Sequence, residues 1–141
     1  YDVNYPIKGA RTYFSGGAGL SSTPRDYAIF LQMYLNNGEY NGIRLLSRTT
    51  VKTIMANQIG DLWAGGPKDY GLAFGIVNEN GIAKGGEGSL GTFDWGGYFS
   101  TLYFADPEEQ LIGILMTQTQ GTTSNDAAWK FRQMVFASID D

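Results

Sequence analysis

Within this 141-residue sequence the residues best suited to chemistry lie in the stretch 91–104, around Trp95-Gly96-Gly97. From Phe99 onward aromatic and β-branched side chains dominate, as on a pleated, half-buried surface, so the stretch reads as one long strand fed by a glycine-rich loop. A glycine pair inside a strand weakens it and marks a bulge or the close approach of another backbone or a ligand. Two readings of the box follow. In one, Trp95 is a core aromatic and Gly96 and Gly97 relieve crowding. In the other, the glycines let a substrate lie close while a following N–H points at a reacting carbonyl oxygen, the geometry that stabilises an oxyanion.

The same residue types exclude much other chemistry. The chain holds no histidine and no cysteine, so it contains no Ser-His-Asp triad, thiolate nucleophile or His- or Cys-ligated metal site. Only oxygen ligands remain for a metal. The one acidic cluster, Asp106, Glu108 and Glu109, lacks calcium-loop spacing and reads as a solvated turn around Pro107. No metal and no cofactor are expected. The glycines at 86, 88 and 91 precede a strand and lack the Lys-Ser/Thr ending of a phosphate-binding loop. Glu87-Gly88-Ser89-Leu90-Gly91 lacks the first glycine of a nucleophile elbow, and no lysine has a serine three residues before it. Tyr34-Leu35-Asn36 has Tyr-x-Asn form, but Tyr34 falls on the apolar stripe of a helix and reads as core.

Several elements must position the box. Thr23 caps a helix with Pro24 in its first position and Asp26 in its first turn. Tyr27, Phe30, Leu31, Tyr34 and Leu35 form its inward stripe, and Asn37-Gly38 ends it. Asn41-Gly42 signals a hairpin turn, and Ser47 caps a shorter helix from Arg48 to about 56 or 57. Period-two alternation over 70–77 predicts a strand, Asn80-Gly81 a tight turn, and 82–84 a short return strand. The apolar run 111–117 predicts a strand covered on both faces. Ser124 or Asn125 caps a last helix bearing Ala128, Phe131, Val135 and Ile139, with Trp129 and Phe136 beside that stripe. The expected class is α+β, an antiparallel sheet of three to four strands in a meander with flanking helices. In domain terms 1–141 reads as a single unit: 1–14 an entering loop or edge segment, 15–57 helical, and 70–141 sheet plus terminal helix.

At 43% hydrophobic and 17% charged residues the chain is no disordered tail. A net charge of −4 with scattered Lys and Arg gives no footprint for nucleic acid. No apolar run approaches the roughly 20 residues of a membrane helix.

The ordered set of features resembles a known family. Gly16-Gly17-Ala18-Gly19-Leu20 with Ser22, Thr23 and Asp26, then Leu45-Leu46-Ser47, Tyr70-Gly71-Leu72-Ala73-Phe74-Gly75, Trp95-Gly96-Gly97 and Asp106-Pro107-Glu108 follow one another as in the C-terminal part of the serine β-lactamase-related hydrolases. These are the class C β-lactamases, the D-alanyl-D-alanine carboxypeptidases and the esterases of the same fold. The resemblance covers essentially all of 14–139 and implies the C-terminal part of the β-lactamase/transpeptidase-like fold. In that family a serine of Ser-x-x-Lys attacks a carbonyl, assisted by its lysine and by the tyrosine of Tyr-x-Asn. A third box, Lys-Thr-Gly or His-x-Gly, flanks that serine.

Trp95-Gly96-Gly97 looks like this third box in its esterase-like form. The resemblance implies that Trp95, Gly96 and Gly97 bind substrate and that the backbone N–H of Tyr98 is one oxyanion donor. It further implies that the other two boxes lie upstream of these residues, so that the chain is the C-terminal region of a larger serine hydrolase and inactive alone. A tryptophan in place of the box lysine removes a cation that pairs with a substrate carboxylate, which favours esters over amides and β-lactams. The expected partner is a small acyl substrate engaged with the missing domain, and dimerisation through surface which that domain covers is a further expectation. An extracytoplasmic parent, periplasmic or secreted, is favoured by the resemblance. The alternative is a non-catalytic member of the same fold that binds peptidoglycan or peptide.

Overall fold

The computed structural model describes residues 16–17, 19–85, 88–119 and 126–140; the expected segment 1–14 and the cap at Ser124 or Asn125 lie outside them. Thr23 starts the first helix, α1 (Pro24–Leu35), by accepting the Asp26 N–H on its hydroxyl at 3.2 Å. This satisfies one of the orphan donors of the first turn. At the far end the Gly38 N–H returns to the Met33 carbonyl at 2.8 Å, with Asn37 and Gly38 both at positive φ. Asn41 and Gly42, at φ 50° and 79°, then close a two-residue turn between β1 (Glu39–Tyr40) and β2 (Ile43–Arg44). That is the mirror-image turn that matches strand twist. Ser47 caps α2 (Arg48–Met55) through the Thr50 N–H at 3.0 Å.

A 3-10 turn (Gly60–Trp63) leads into the sheet. Its strands are β3 (Lys68–Tyr70), β4 (Gly75–Val77), β5 (Phe93–Gly96), β6 (Leu102–Asp106) and β7 (Leu111–Leu115), paired in chain order and antiparallel throughout. The α+β class and the antiparallel meander hold, with five strands in place of three to four. α3 (Glu79–Lys84) follows β4, and α4 (Asp126–Phe136) closes the chain.

Three expectations are corrected. The period-two run 70–77 is not one strand: it turns at 71–74, where the Gly71 N–H donates to the Phe74 carbonyl at 2.9 Å. The Leu72 N–H donates to the Ile54 carbonyl at the end of α2, and a Cβ on Gly71 would sit 2.1 Å from that oxygen. The small residue there serves helix-to-loop packing rather than a pleat. The expected return strand 82–84 is helical, because the Asn78 side chain accepts the Gly81 N–H at 3.1 Å and caps α3. The long strand 91–104 is a hairpin, β5 and β6, with a turn between them.

The sheet separates two packed layers. On one face α1 lies over β6 and β7. Leu31, Met33, Tyr34, Val51, Phe74, Ile76, Phe93 and Ala105 form the core there, each large side chain worth about 1.5–3 kcal/mol when withdrawn from water. Met33 is buried and Phe30 of the expected stripe is 40% exposed, so the helix is rotated slightly from its predicted facing. On the other face Phe104 packs against Phe131 and Phe136 of α4, at 6.2 and 5.4 Å between rings. Gly113 is the register partner of Phe104 and leaves the room that this ring fills. No described helix is long and apolar enough to cross a membrane.

Candidate active site

Along β5 the chain passes from interior to surface. Phe93 and Asp94 are buried, whereas Trp95, Gly96, Gly97 and Tyr98 are exposed. Asp94 anchors the strand from behind. On the α4 side of the sheet it pairs with Arg132, itself 3% exposed, and with Lys68 of β3 at 2.7 Å. The Arg132 guanidinium lies 5.0 Å from the Phe104 ring centroid, so the ion pair is packed as well as charged. Trp95 is opposite Tyr103 in the ladder, and its ring meets Tyr70 at 5.0 Å. At 46% exposure it is a surface residue and not a core aromatic.

The two glycines differ in what they allow. A Cβ on Gly96 would meet the Thr101 carbonyl at 3.3 Å, whereas on Gly97 it would fall 2.1 Å from the Thr101 hydroxyl oxygen. The Gly97 N–H donates to the Thr101 carbonyl at 3.0 Å, and the Ser100 N–H donates back to Gly97 at 3.0 Å. Tyr98 sits in this turn, 63% exposed, with its ring edge-on to Phe99. Ser100 at φ 61° completes the reversal. Its hydroxyl donates to the Thr119 carbonyl at 2.9 Å, the Thr117 hydroxyl to the Phe99 carbonyl at 2.5 Å, and the Thr119 N–H to that same carbonyl at 3.2 Å. The segment after β7 therefore braces the turn that carries Tyr98. Sequence reading missed Asp94, Ser100, Thr101, Thr117 and Thr119; of these, only the charge of Asp94 inside an apolar strand was a visible signal.

Neither Tyr103 nor Tyr34 is set up as a base. Burial, then the hydrogen bond with Tyr27, hold the Tyr103 phenol far above its usual range, and burial likewise raises Tyr34. Tyr34 is a core residue between Phe74 and Phe93. The acidic turn is only partly solvated. Glu108 and Glu109 are exposed, but Asp106 is fully buried and accepts from the Ser89 N–H, the Thr92 hydroxyl and the N–H groups of Glu108 and Glu109 at 2.7–3.1 Å. Burial pushes its carboxyl up, and these donors more than offset it and hold it below the usual range. Its role is to tie the loop before β5 to the β6–β7 turn. Among the described residues no three acidic side chains gather as a metal site.

With this geometry the chain is similar to several known proteins. Protein Rv1367c from Mycobacterium tuberculosis is 32% identical over 130 residues, a match covering 83% of this chain and 32% of that protein. The chain thus spans about a third of the length of the curated relatives it matches. Among solved structures, EstCE1, described as a hydrolase with promiscuous acyltransferase activity, superposes with a TM-score of 0.63 at 19% identity over 79% of this chain and 29% of its own. Simvastatin synthase from Aspergillus terreus gives 0.61 at 18% identity over 82% of this chain and 33% of its own; at such identities these two likenesses bear on the fold. The family model described as Beta-lactamase matches residues 2–136, and the chain belongs to that β-lactamase family, with its serine-hydrolase type of fold.

Proposed function

We propose that this chain supplies the oxyanion side and a substrate wall of a serine hydrolase that works through an acyl-enzyme, with esters as the favoured substrates. The observation that carries the reading is the emergence of Trp95-Gly96-Gly97-Tyr98 from a buried, charge-anchored strand onto open surface. A serine outside these residues attacks the carbonyl carbon, and the carbonyl oxygen gains negative charge as the tetrahedral intermediate forms. The backbone N–H of Tyr98 donates to that oxygen, and the N–H of the nucleophilic serine is the second donor. Gly96 and Gly97 present no side chain, so the acyl group lies against the strand, with Trp95 as its apolar wall. The box carries Trp95 in place of a lysine that would hold a carboxylate, which favours uncharged esters over β-lactams. The described activity of EstCE1, hydrolysis with acyl transfer, supports the same chemistry.

The test is hydrolysis of a short-chain nitrophenyl ester by a protein in which this chain is joined to the serine-bearing region. Turnover abolished by replacing that serine is expected; no turnover, or turnover that survives the replacement, would sink the reading. The 141 residues alone are expected to show none. Within the active protein Tyr98→Pro, which removes the N–H, is expected to lower kcat by ~10²–10³, the usual cost of one oxyanion donor. Tyr98→Ala keeps that N–H and is expected to cost far less.

A further inference from the structure

The apolar wall at the box continues beyond Trp95. Trp95 meets Tyr70 of β3 edge-on at 5.0 Å between ring centroids, and Tyr70 meets Trp63 of the 3-10 turn in the same manner at 5.5 Å. β3 is an edge strand of the sheet, so the row runs from the end of β5 outward to the sheet edge. Its two indoles are 46% and 50% exposed, and Tyr70 between them is half-buried. Large aromatic side chains usually spend their area in the core. Here two of them leave apolar surface open, one of them at the end of β5 just before the turn that carries Tyr98.

At Trp63 the surface changes character. A cleft of about 240 Å³ opens there, and Asp61, Asp69 and Asn80 are among the residues that share its lining with Trp63. Lys68 also borders it, but its ammonium is held by Asp94 at 2.7 Å. The row is therefore an apolar path of limited length, beginning at Trp95 and ending in a polar, carboxylate-bearing cleft.

Resting on the hydrolase reading, we propose that Trp95, Tyr70 and Trp63 form one continuous subsite for the acyl group of the substrate. The acyl class it takes is an uncharged aryl or alkyl chain long enough to span both ring-to-ring steps. An acetyl-sized group reaches only Trp95. A tail ending in a carboxylate meets Asp61 and Asp69 and is disfavoured by like charge.

The test is binding to this chain without turnover, read from the three indole N–H resonances by nuclear magnetic resonance. Methyl 4-phenylbutanoate is expected to shift Trp63 and Trp95 saturably and to leave Trp129 of α4 unmoved, while methyl acetate leaves Trp63 unmoved. Trp63→Ala, or Tyr70→Leu if that variant folds poorly, is expected to weaken the phenyl ester roughly twofold to tenfold, the range of one aromatic contact. Movement of Trp95 alone, equal movement of Trp129, no movement, or undiminished binding by Trp63→Ala would each overturn the subsite. In the serine-bearing protein Trp63→Ala is expected to lower the ratio of kcat/KM for the phenylbutanoyl over the acetyl nitrophenyl ester by the same factor, and Trp129→Phe to preserve it. Absence of turnover there would count against the hydrolase reading, while the binding result would still decide the subsite.

Discussion

Gly97 is the residue on which the candidate site is tightest. Its φ is not in the left-handed region, so any methyl group is opposed by space and not by backbone strain. A Cβ there would lie 2.1 Å from the Thr101 hydroxyl oxygen and 3.5 Å from the Thr101 Cβ. Gly97→Ala must turn the Thr101 side chain, and a β-branched residue is stiff at χ1, so a loss of about 1–3 kcal/mol is expected. Removing the obstacle in Gly97→Ala/Thr101→Ala is expected to restore most of it, as read by urea denaturation. A double variant no more stable than Gly97→Ala would show that the close approach is not the cause. The types Trp-Gly-Gly were legible as a place of close approach, because glycine pairs in strands have few other uses. The agent of that approach was not. Thr101 comes back beside Gly97 only because Ser100 takes φ 61°, and a serine carries no sequence mark for that conformation.

Elements were legible to the extent that their ends are decided locally. Thr23, Ser47 and Asn41-Gly42 act on neighbours within four residues, and each stands where its chemistry predicts. The reversals within 70–77 and 91–104 carry no such local mark, because alternation and β-propensity do not show where a strand folds back, a matter of contacts such as Leu72 with Ile54. Composition likewise hid Asp106, which looks like any turn aspartate yet lies at zero exposure with four donors on it. Its folded pKa is lowered, so the stability it contributes is fully present above the ordinary aspartate range and is lost as pH falls through that range to the folded value. Urea midpoints are therefore expected to drop below about pH 4 in the parent chain, and less in Asp106→Asn. Asp106→Ala strands its donors in the interior, and a loss of about 2–4 kcal/mol at neutral pH is expected. An acid limb of equal depth in Asp106→Asn would remove this residue from the account.

At the scale of the molecule the two layers are joined through the sheet. α1 and α4 lie on opposite faces, and the α4 layer rests on Phe104 and on the pairing of Arg132 with Asp94. Asp94 belongs to the strand that delivers Trp95, so α4 and the candidate site share one buried charge cluster. Breaking a buried pair from one side costs more than the pair is worth, because the surviving charge is left without its partner. Lys68, with 26% side-chain exposure, still compensates Asp94, which places Arg132→Met at the lower end, about 3 kcal/mol. Asp94→Leu takes the shared carboxylate from both Arg132 and Lys68 and is expected to cost more, and Asp94→Leu/Arg132→Met to cost less than the two single losses added. Strict additivity would show that the two side chains do not act as a unit. The parent is expected to unfold in one transition by circular dichroism and indole fluorescence. In Arg132→Met, Trp129 is expected to report loosening of α4 before Trp63 and Trp95 report loss of the sheet. Coincident transitions in that variant would mean that the Phe104 contacts alone hold the helix down, and that the cluster serves β5 and not the union of the two faces.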